Sequence, residues 1–359
     1  MLIYACISAH GFGHGSRCAA VLTALHAIRP NWRLVLSTSL PPAFLATALG
    51  PVPYEQRPLR WDVGVIQADA LGADPPATLA ALDQLEAALP VQLQREAQWL
   101  RAQAEPVLVL GDVPPAATQL AQRVGASLVW IASFGWESIY EPMGPAFAPW
   151  ARQARDAYRQ GQLLIHCPLA MPITWGIPTV KVGLTASTPR LQGATLEQLR
   201  VQLQLPAARE RCVLISFGGM GFDLAAAPLQ RWPEHVFIGS DAALAAHPNG
   251  RVLPAGLRPL DLMPLCSRLI TKPGYSSFCE AMTQGLGIHL VAREGFAEAA
   301  VLQRHLVNHG WHRLLSRDAF ERGAWELDQP LLPPLLASLG TDGSDAAAAA
   351  IEQFALTGA

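Results

Sequence analysis

The sequence predicts an α/β protein built as two halves, each a parallel sheet with helices threaded between its strands. Three observations carry this expectation. Short apolar runs alternate with amphipathic stretches of helical period along most of the chain. Its 359 residues exceed one ordinary core and suit two domains of ~150–200 residues. A stretch poor in regular pattern, residues 168–189, carries Pro168, Pro172, Pro178 and Pro189 and separates the two alternating series.

The first half opens on Leu2 to Ser8, a mostly apolar run of the kind that forms a strand buried on both faces. It has neither a basic leading region nor a small-residue cleavage site, so it reads as structure and not as a leader. The loop Ala9-His10-Gly11-Phe12-Gly13-His14-Gly15-Ser16-Arg17 then opens a helix whose apolar positions are Cys18, Val21, Leu22, Leu25 and Ile28. A strand follows at 33–38. The loop falls short of the dinucleotide fingerprint, because Ser16 stands where the third glycine belongs and no acidic residue lies near Ser37. Nicotinamide binding is therefore not expected.

Residues 79–101 have helical period, with Leu79, Leu82, Leu85, Leu89, Val91 and Leu93 on the apolar face and Pro90 expected to break or kink the segment into two helices. Strands at 107–110, 127–132 and 161–168 follow, with a helix at 115–124. Polar loops thus end three strands, at His10 to Arg17, at Asp112 and at Trp136-Glu137. Ligand groups gather at such carboxyl ends in parallel sheets.

In the second half the same alternation gives a helix at 196–203 and strands at 213–216, 235–239, 268–270 and 287–291, then a helix at 299–309. Two turns stand out. Phe217-Gly218-Gly219-Met220-Gly221 would let backbone approach a phosphate closely. Lys272-Pro273-Gly274 stops a strand, and a helix is expected to begin at Ser276 or Ser277, where Ser277 and Glu280 have capping-box spacing. A strand turning sharply into a helix aims backbone N–H groups and the positive dipole end at one spot, which suits an anion. After a polar spacer at 340–344, an Ala-rich helix at 345–356 is expected to pack back on the first domain. The expected domains are 1–185, 186–340 and this terminal piece, 341–359.

Composition narrows the classes. Apolar residues make up 51% and charged residues 15%, which demands a large core. No apolar run reaches the ~18–20 residues of a membrane span. Six scattered cysteines without a Cys-x-x-Cys pair point to buried free thiols in a reducing cytosol, with neither a disulfide framework nor a zinc site. A net charge of −2 leaves no footprint for nucleic acid.

Six ordered blocks carry a resemblance: Gly13-His14-Gly15-Ser16-Arg17, Gln67 to Leu71, Gly111 to Ala116, Ser133 to Tyr140, Ser216 to Gly219 and Lys272 to Ser276. Through them the chain resembles the GT-B glycosyltransferases, two Rossmann-like domains facing a cleft, and in particular the glycosyltransferase-like N-terminal domain of plant L-arabinokinases. The resemblance implies a cytoplasmic, metal-independent, inverting transferase. Its donor would be a nucleotide sugar, a UDP-sugar by family habit, and its acceptor a hydroxyl on a small molecule, lipid or glycan. No resident cofactor is implied.

By the same resemblance His14 is the general base and Asp112 its partner. Gly13, Arg17, Gly218, Gly219, Lys272, Gly274, Ser276, Ser277, Glu280 and Glu298 are the donor-binding positions. Each has a plainer reading beside it. His14 can be a helix-start residue bonded to backbone, Asp112 an N-cap, Glu280 a capping residue and Glu298 a solvated helix start. Arg17, taken to lie in the first helical turn, stands against the dipole there, which suggests an anion facing it. His10 is the second candidate base. The uridine-recognising signature of plant small-molecule transferases is absent, as is the kinase half of L-arabinokinases. A UDP-sugar 2-epimerase and a nucleotide-sugar-binding module without turnover are the competing readings.

Overall fold

The computed structural model describes residues 1–66, 73–218, 227–293 and 297–358. The chain forms two compact units, one of Met1–Thr185 together with Gly340–Ala359, the other comprising most of the residues between.

The first unit holds β1 (Leu2–Ile7), α1 (Phe12–Ile28), β2 (Arg33–Ser37), α2 (Pro42–Leu49), β3 (Glu55–Arg57) and α3 (Pro75–Arg101). It continues through β4 (Val107–Asp112), α4 (Ala116–Val124), β5 (Ser127–Ala132), α5 (Trp136–Tyr140), α6 (Ala148–Tyr158), β6 (Leu163–His166) and β7 (Thr179–Lys181). The seven strands run parallel in the order β3-β2-β1-β4-β5-β6-β7. Every residue of β1 is buried, as its unbroken apolar run requires. Strand order reverses between β1 and β4, whose register pairs Ile7 with Asp112. Loops leaving those two strands diverge there and open the place where such sheets bind ligands.

The second unit holds α7 (Gly193–Gln202), β8 (Cys212–Ile215), α8 (Ala227–Gln230), β9 (Val236–Gly239), β10 (Gly250–Val252) and α9 (Pro259–Leu262). Then come β11 (Arg268–Thr271), α10 (Tyr275–Thr283), β12 (Gly287–Val291), α11 (Ala297–His309), β13 (His312–Leu315) and α12 (Arg317–Glu321). Its six parallel strands run β10-β9-β8-β11-β12-β13, reversing between β8 and β11. Val213, Phe237, Ile270, Val291 and Leu315 line one sheet face and pack on Phe320, Trp325 and Leu327.

The structure departs from expectation at α3, which is one continuous helix with Pro90 inside it. Pro90 lies on the exposed side, and Val91, expected on the apolar face, is 75% exposed. Apolar period alone put Val91 on the wrong side of the helix. All six cysteines are free and buried. Among the described residues no helix is long and apolar enough to cross a membrane.

The last helix, α13 (Gly343–Thr357), packs on α1 within the first unit. Arg29 Nε donates to Glu352 Oε1 at 2.5 Å, and Leu184 N–H donates to the Gly340 carbonyl at 2.7 Å. This return depends on bare backbone: a Cβ on Gly343 would meet the Gly183 carbonyl oxygen at 2.0 Å. Backbone cannot swing aside as a side chain can, so Gly343→Ala should destabilise the first unit by about 1–3 kcal/mol. A melting temperature unchanged from the parent chain would contradict the contact.

Candidate functional site

The first unit brings His14, Arg17 and Asp112 together at its strand-order reversal. The helix α1 starts at Phe12 after Gly11, so His14 is its third residue and Arg17 its sixth. Three and six residues into a helix share a face. Asp112 ends β4 directly beside them. His14 Nδ1 lies 2.9 Å from Asp112 Oδ1. Arg17 Nε donates to Asp112 Oδ2 at 3.1 Å, and Arg17 Nη2 donates to Oδ1. Arg17 Nη1 reaches Ser133 Oγ at 2.9 Å, and the Cys18 thiol donates to Asp112 Oδ2 at 3.0 Å.

The charges are buried: Arg17 is 2% exposed and Asp112 0%. Burial alone would raise the Asp112 carboxyl, but the charges of Arg17 and His14 outweigh it and hold the group down at about 2. Asp112 is therefore ionised at neutral pH and accepts from Nδ1–H of His14. The Nε2 of a neutral His14 then keeps its lone pair for a proton.

Arg17 corrects one expectation. It lies past the first helical turn, and the anion beside it is the protein's own Asp112. Asp112 likewise caps no helix: α4 starts behind Pro115 without a side-chain cap.

Behind His14 stands Trp136, wholly buried, with its ring 6.3 Å from that of His14 and edge-on to His10 at 5.3 Å. Its indole N–H donates to Asp62 Oδ2 at 2.8 Å, and Ser8 Oγ donates to Asp62 Oδ1 at 3.0 Å. His10 Nδ1 accepts from the Val65 N–H at 3.2 Å, so a neutral His10 carries its proton on Nε2 and is a donor there. That bond weakens His10 as an alternative base. Gly64, at φ +70°, lies so close that a Cβ would fall 2.3 Å from His10 Nδ1. Sequence reasoning missed Asp62 and Ser133. A lone Asp inside the apolar run Trp61-Asp62-Val63-Gly64-Val65 was the available signal for the first. Glu137, expected near this wall, is buried and accepts from Trp175 Nε1 at 2.7 Å.

In the second unit, α10 starts one or two residues earlier than expected, at Tyr275 behind Gly274. Ser276 and Ser277 fall in its first turn, and the capping box does not form, since Glu280 is already the sixth helical residue. Among the described residues the Glu280 side chain has no hydrogen-bond or ion-pair partner. Burial pushes its carboxyl up to about 7, against the pull of Arg258. Arg258 is itself held by Asp261, with Nη2 on Oδ1 at 2.7 Å. Burial and the charge of Arg293 lower Lys272 to about 8.

Gly274 has an extended backbone that any residue can adopt, and a Cβ there would touch nothing closer than 3.8 Å. The fold does not need a glycine at this position, whereas a ligand lying against the helix start would. Gly218 ends the described part of the other turn at φ +72°. Gly219 and Gly221 lie outside the described residues. Glu298 is in the first turn of α11 and 7% exposed, so it is not the solvated helix start of the plainer reading. Gly13 is half-buried in the first turn of α1. Among the described residues no group of three or more His, Cys, Asp or Glu is arranged to hold a metal ion.

No protein-family model matches the chain. An L-arabinokinase of Arabidopsis thaliana is 26% identical over 310 residues, covering 84% of this chain and 29% of that protein. The chain thus spans less than a third of that relative's length. Among solved structures, a UDP-glucosyltransferase from Polygonum tinctorium capable of glucosylating indoxyl is similar at TM-score 0.61 and 16% identity, covering 91% of this chain and 88% of that one. Arabidopsis thaliana UGT89C1, complexed with UDP-L-rhamnose, is similar at TM-score 0.63 and 13% identity, covering 99% and 94%. At such identities the likeness speaks for the fold, and the fold is GT-B.

The depressed Asp112 carboxyl makes a stability prediction with a definite sign. Its folded value of about 2 lies below the ordinary ~3.9, so the unfolded chain binds the proton more readily. The contribution, on the order of 2 kcal/mol, is fully present above about pH 4–5 and is lost as pH falls toward 2. Asp112→Asn should be less stable than the parent at pH 7, and urea unfolding should show the gap closing between pH 4 and 2. A gap that stays constant would mean the carboxylate charge is not what Asp112 contributes.

Proposed function

We propose that the chain is an inverting, metal-independent glycosyltransferase. It moves a sugar from a nucleotide-sugar donor, a UDP-sugar, to a hydroxyl acceptor. The observation that carries this reading is the 2.9 Å contact between His14 Nδ1 and Asp112 Oδ1 at the reversal point of the first sheet. A histidine oriented on one nitrogen by an ionised carboxylate offers the other as a general base near neutral pH.

In the proposed step the acceptor oxygen bonds to the anomeric carbon while its proton passes to His14 Nε2. The bond from that carbon to the donor diphosphate breaks, and its electron pair stays on the diphosphate. Attack opposite the leaving group inverts the anomeric centre.

The second unit supplies the proposed donor site. Gly274, Ser276 and Ser277 at the start of α10 would receive the diphosphate, whose charge the helix dipole and Lys272 offset. Gly218 and Gly219 would line its other side. The partnerless carboxyl of Glu280 suits ribose hydroxyls, and Glu298 is proposed for the donor sugar. The likeness to a structure complexed with UDP-L-rhamnose supports this choice of donor class.

The test is incubation with a panel of UDP-sugars and hydroxyl acceptors, following UDP release and product anomer. Transfer with inversion is expected, and His14→Ala should lose ~10²–10⁴-fold in turnover with donor affinity kept. Normal turnover per folded His14→Ala molecule would remove His14 from the reaction. Epimer formation, or binding without turnover, would replace the transferase reading.

A further inference from the structure

The charges around His14 do not balance once it takes a proton. Arg17 and Asp112 are both buried and bonded to each other, so their charges cancel. A protonated His14 then adds one uncompensated positive charge to a site that is itself mostly buried. Such a charge is costly in low dielectric unless a counter-charge lies near. Asp112 from β4 and Arg17 from α1 contact the ring directly. Trp136 stands 6.3 Å from it, edge-on to His10 and joined by its indole N–H to Asp62 on the strap between β3 and α3. The Arg60 guanidinium beside Asp62 is held on the Asp62 backbone carbonyl at 3.0 Å. The Cys18 thiol, pushed up by burial, stays neutral. Among the described residues, Asp62 is the carboxylate near the ring whose oxygens touch no cation, their partners being Trp136 and Ser8.

We propose that Asp62 is a positioning residue for His14: the carboxylate that balances the imidazolium and, through the Trp136 indole and the Ser8 hydroxyl, holds the wall beside it. The strap that carries Asp62 is well fixed. Trp61 Nε1 donates to Ser37 Oγ at 2.8 Å, Tyr140 donates to the Gly64 carbonyl at 3.1 Å, and Asp62 itself is 5% exposed. Burial raises its carboxyl, whereas the His14 charge lowers it, so ionised Asp62 and protonated His14 favour each other.

The role in turnover rests on His14 being the base, but the charge coupling can be read without turnover. Asp62→Asn removes the charge and little else. Its carbonyl can still accept from Trp136, and the Ser8 hydroxyl can turn to accept from the new amide. In ¹³C-histidine NMR, with the resonance assigned by its absence in His14→Ala, the His14 titration midpoint should be lower in Asp62→Asn than in the parent chain. The acidic limb of the turnover profile should move to lower pH with it.

A midpoint that is unchanged, or that rises, overturns the proposal, since a merely structural Asp62 would move only the melting temperature. Should Asp62→Asn not fold, the parent chain answers the same question. The Asp62 carboxyl carbon must step at the pH where His14 titrates, and no step also overturns the proposal. A chain that transfers no sugar leaves both NMR readings standing, so the two ideas fail separately.

Discussion

Two opposite charges buried side by side set the terms for the first unit. Arg17 and Asp112 have almost no contact with water, and neither could occupy its place without the other, because stripping a partner from such a pair costs ~3–5 kcal/mol. The pair ties α1 to the end of β4 at the point where strand order reverses. Since His14 lies on the same helix face as Arg17, clamping the guanidinium also sets the imidazole against the carboxylate. A bond that looks structural therefore fixes the tautomer of the neighbouring imidazole.

The second unit reaches the equivalent point of its own sheet with different means. There the turn after β11 is lined by glycine and serine, and the side chains nearest it, Lys272 and Glu280, are shifted toward their neutral forms by burial. One unit concentrates paired charge around a histidine, and the other presents backbone and hydroxyls at a helix start. The same doubly wound plan thus produces two strand-end settings of unlike character, because the plan fixes only where the loops open.

Much of this was legible in the sequence where chain geometry is local. The strands at 127–132 and 287–291 have the bounds their apolar runs suggest. The pairing of His14 with Asp112 came from the resemblance, and chain geometry added that both follow strands of one alternating series. The failures are equally physical. The helix start at Phe12 is set by the extended Gly11, which no side chain announces, and that shift moved Arg17 out of the first turn and onto Asp112. The same kind of shift at Gly274 dissolved the capping box at Ser277 and left Glu280 partnerless. Pro90 is tolerated because it faces solvent, which depends on what covers the helix and not on the helix itself. Asp62 escaped notice because its strap has no periodicity, and its partners lie 54 and 74 residues away.

The return of α13 to the first unit bears on how the chain is made. Synthesis proceeds from the N-terminus, and the face of α1 that α13 covers is complete long before Ala347, Ala348, Ile351 and Phe354 exist to cover it. Between Thr185 and Gly340 the ribosome must add the whole second unit, which at 5–20 residues per second takes roughly 8–30 s. For that interval the face of α1 that α13 covers has no partner from its own chain. The second unit, by contrast, waits only for the short stretch beyond its last strand that carries Phe320, Trp325 and Leu327.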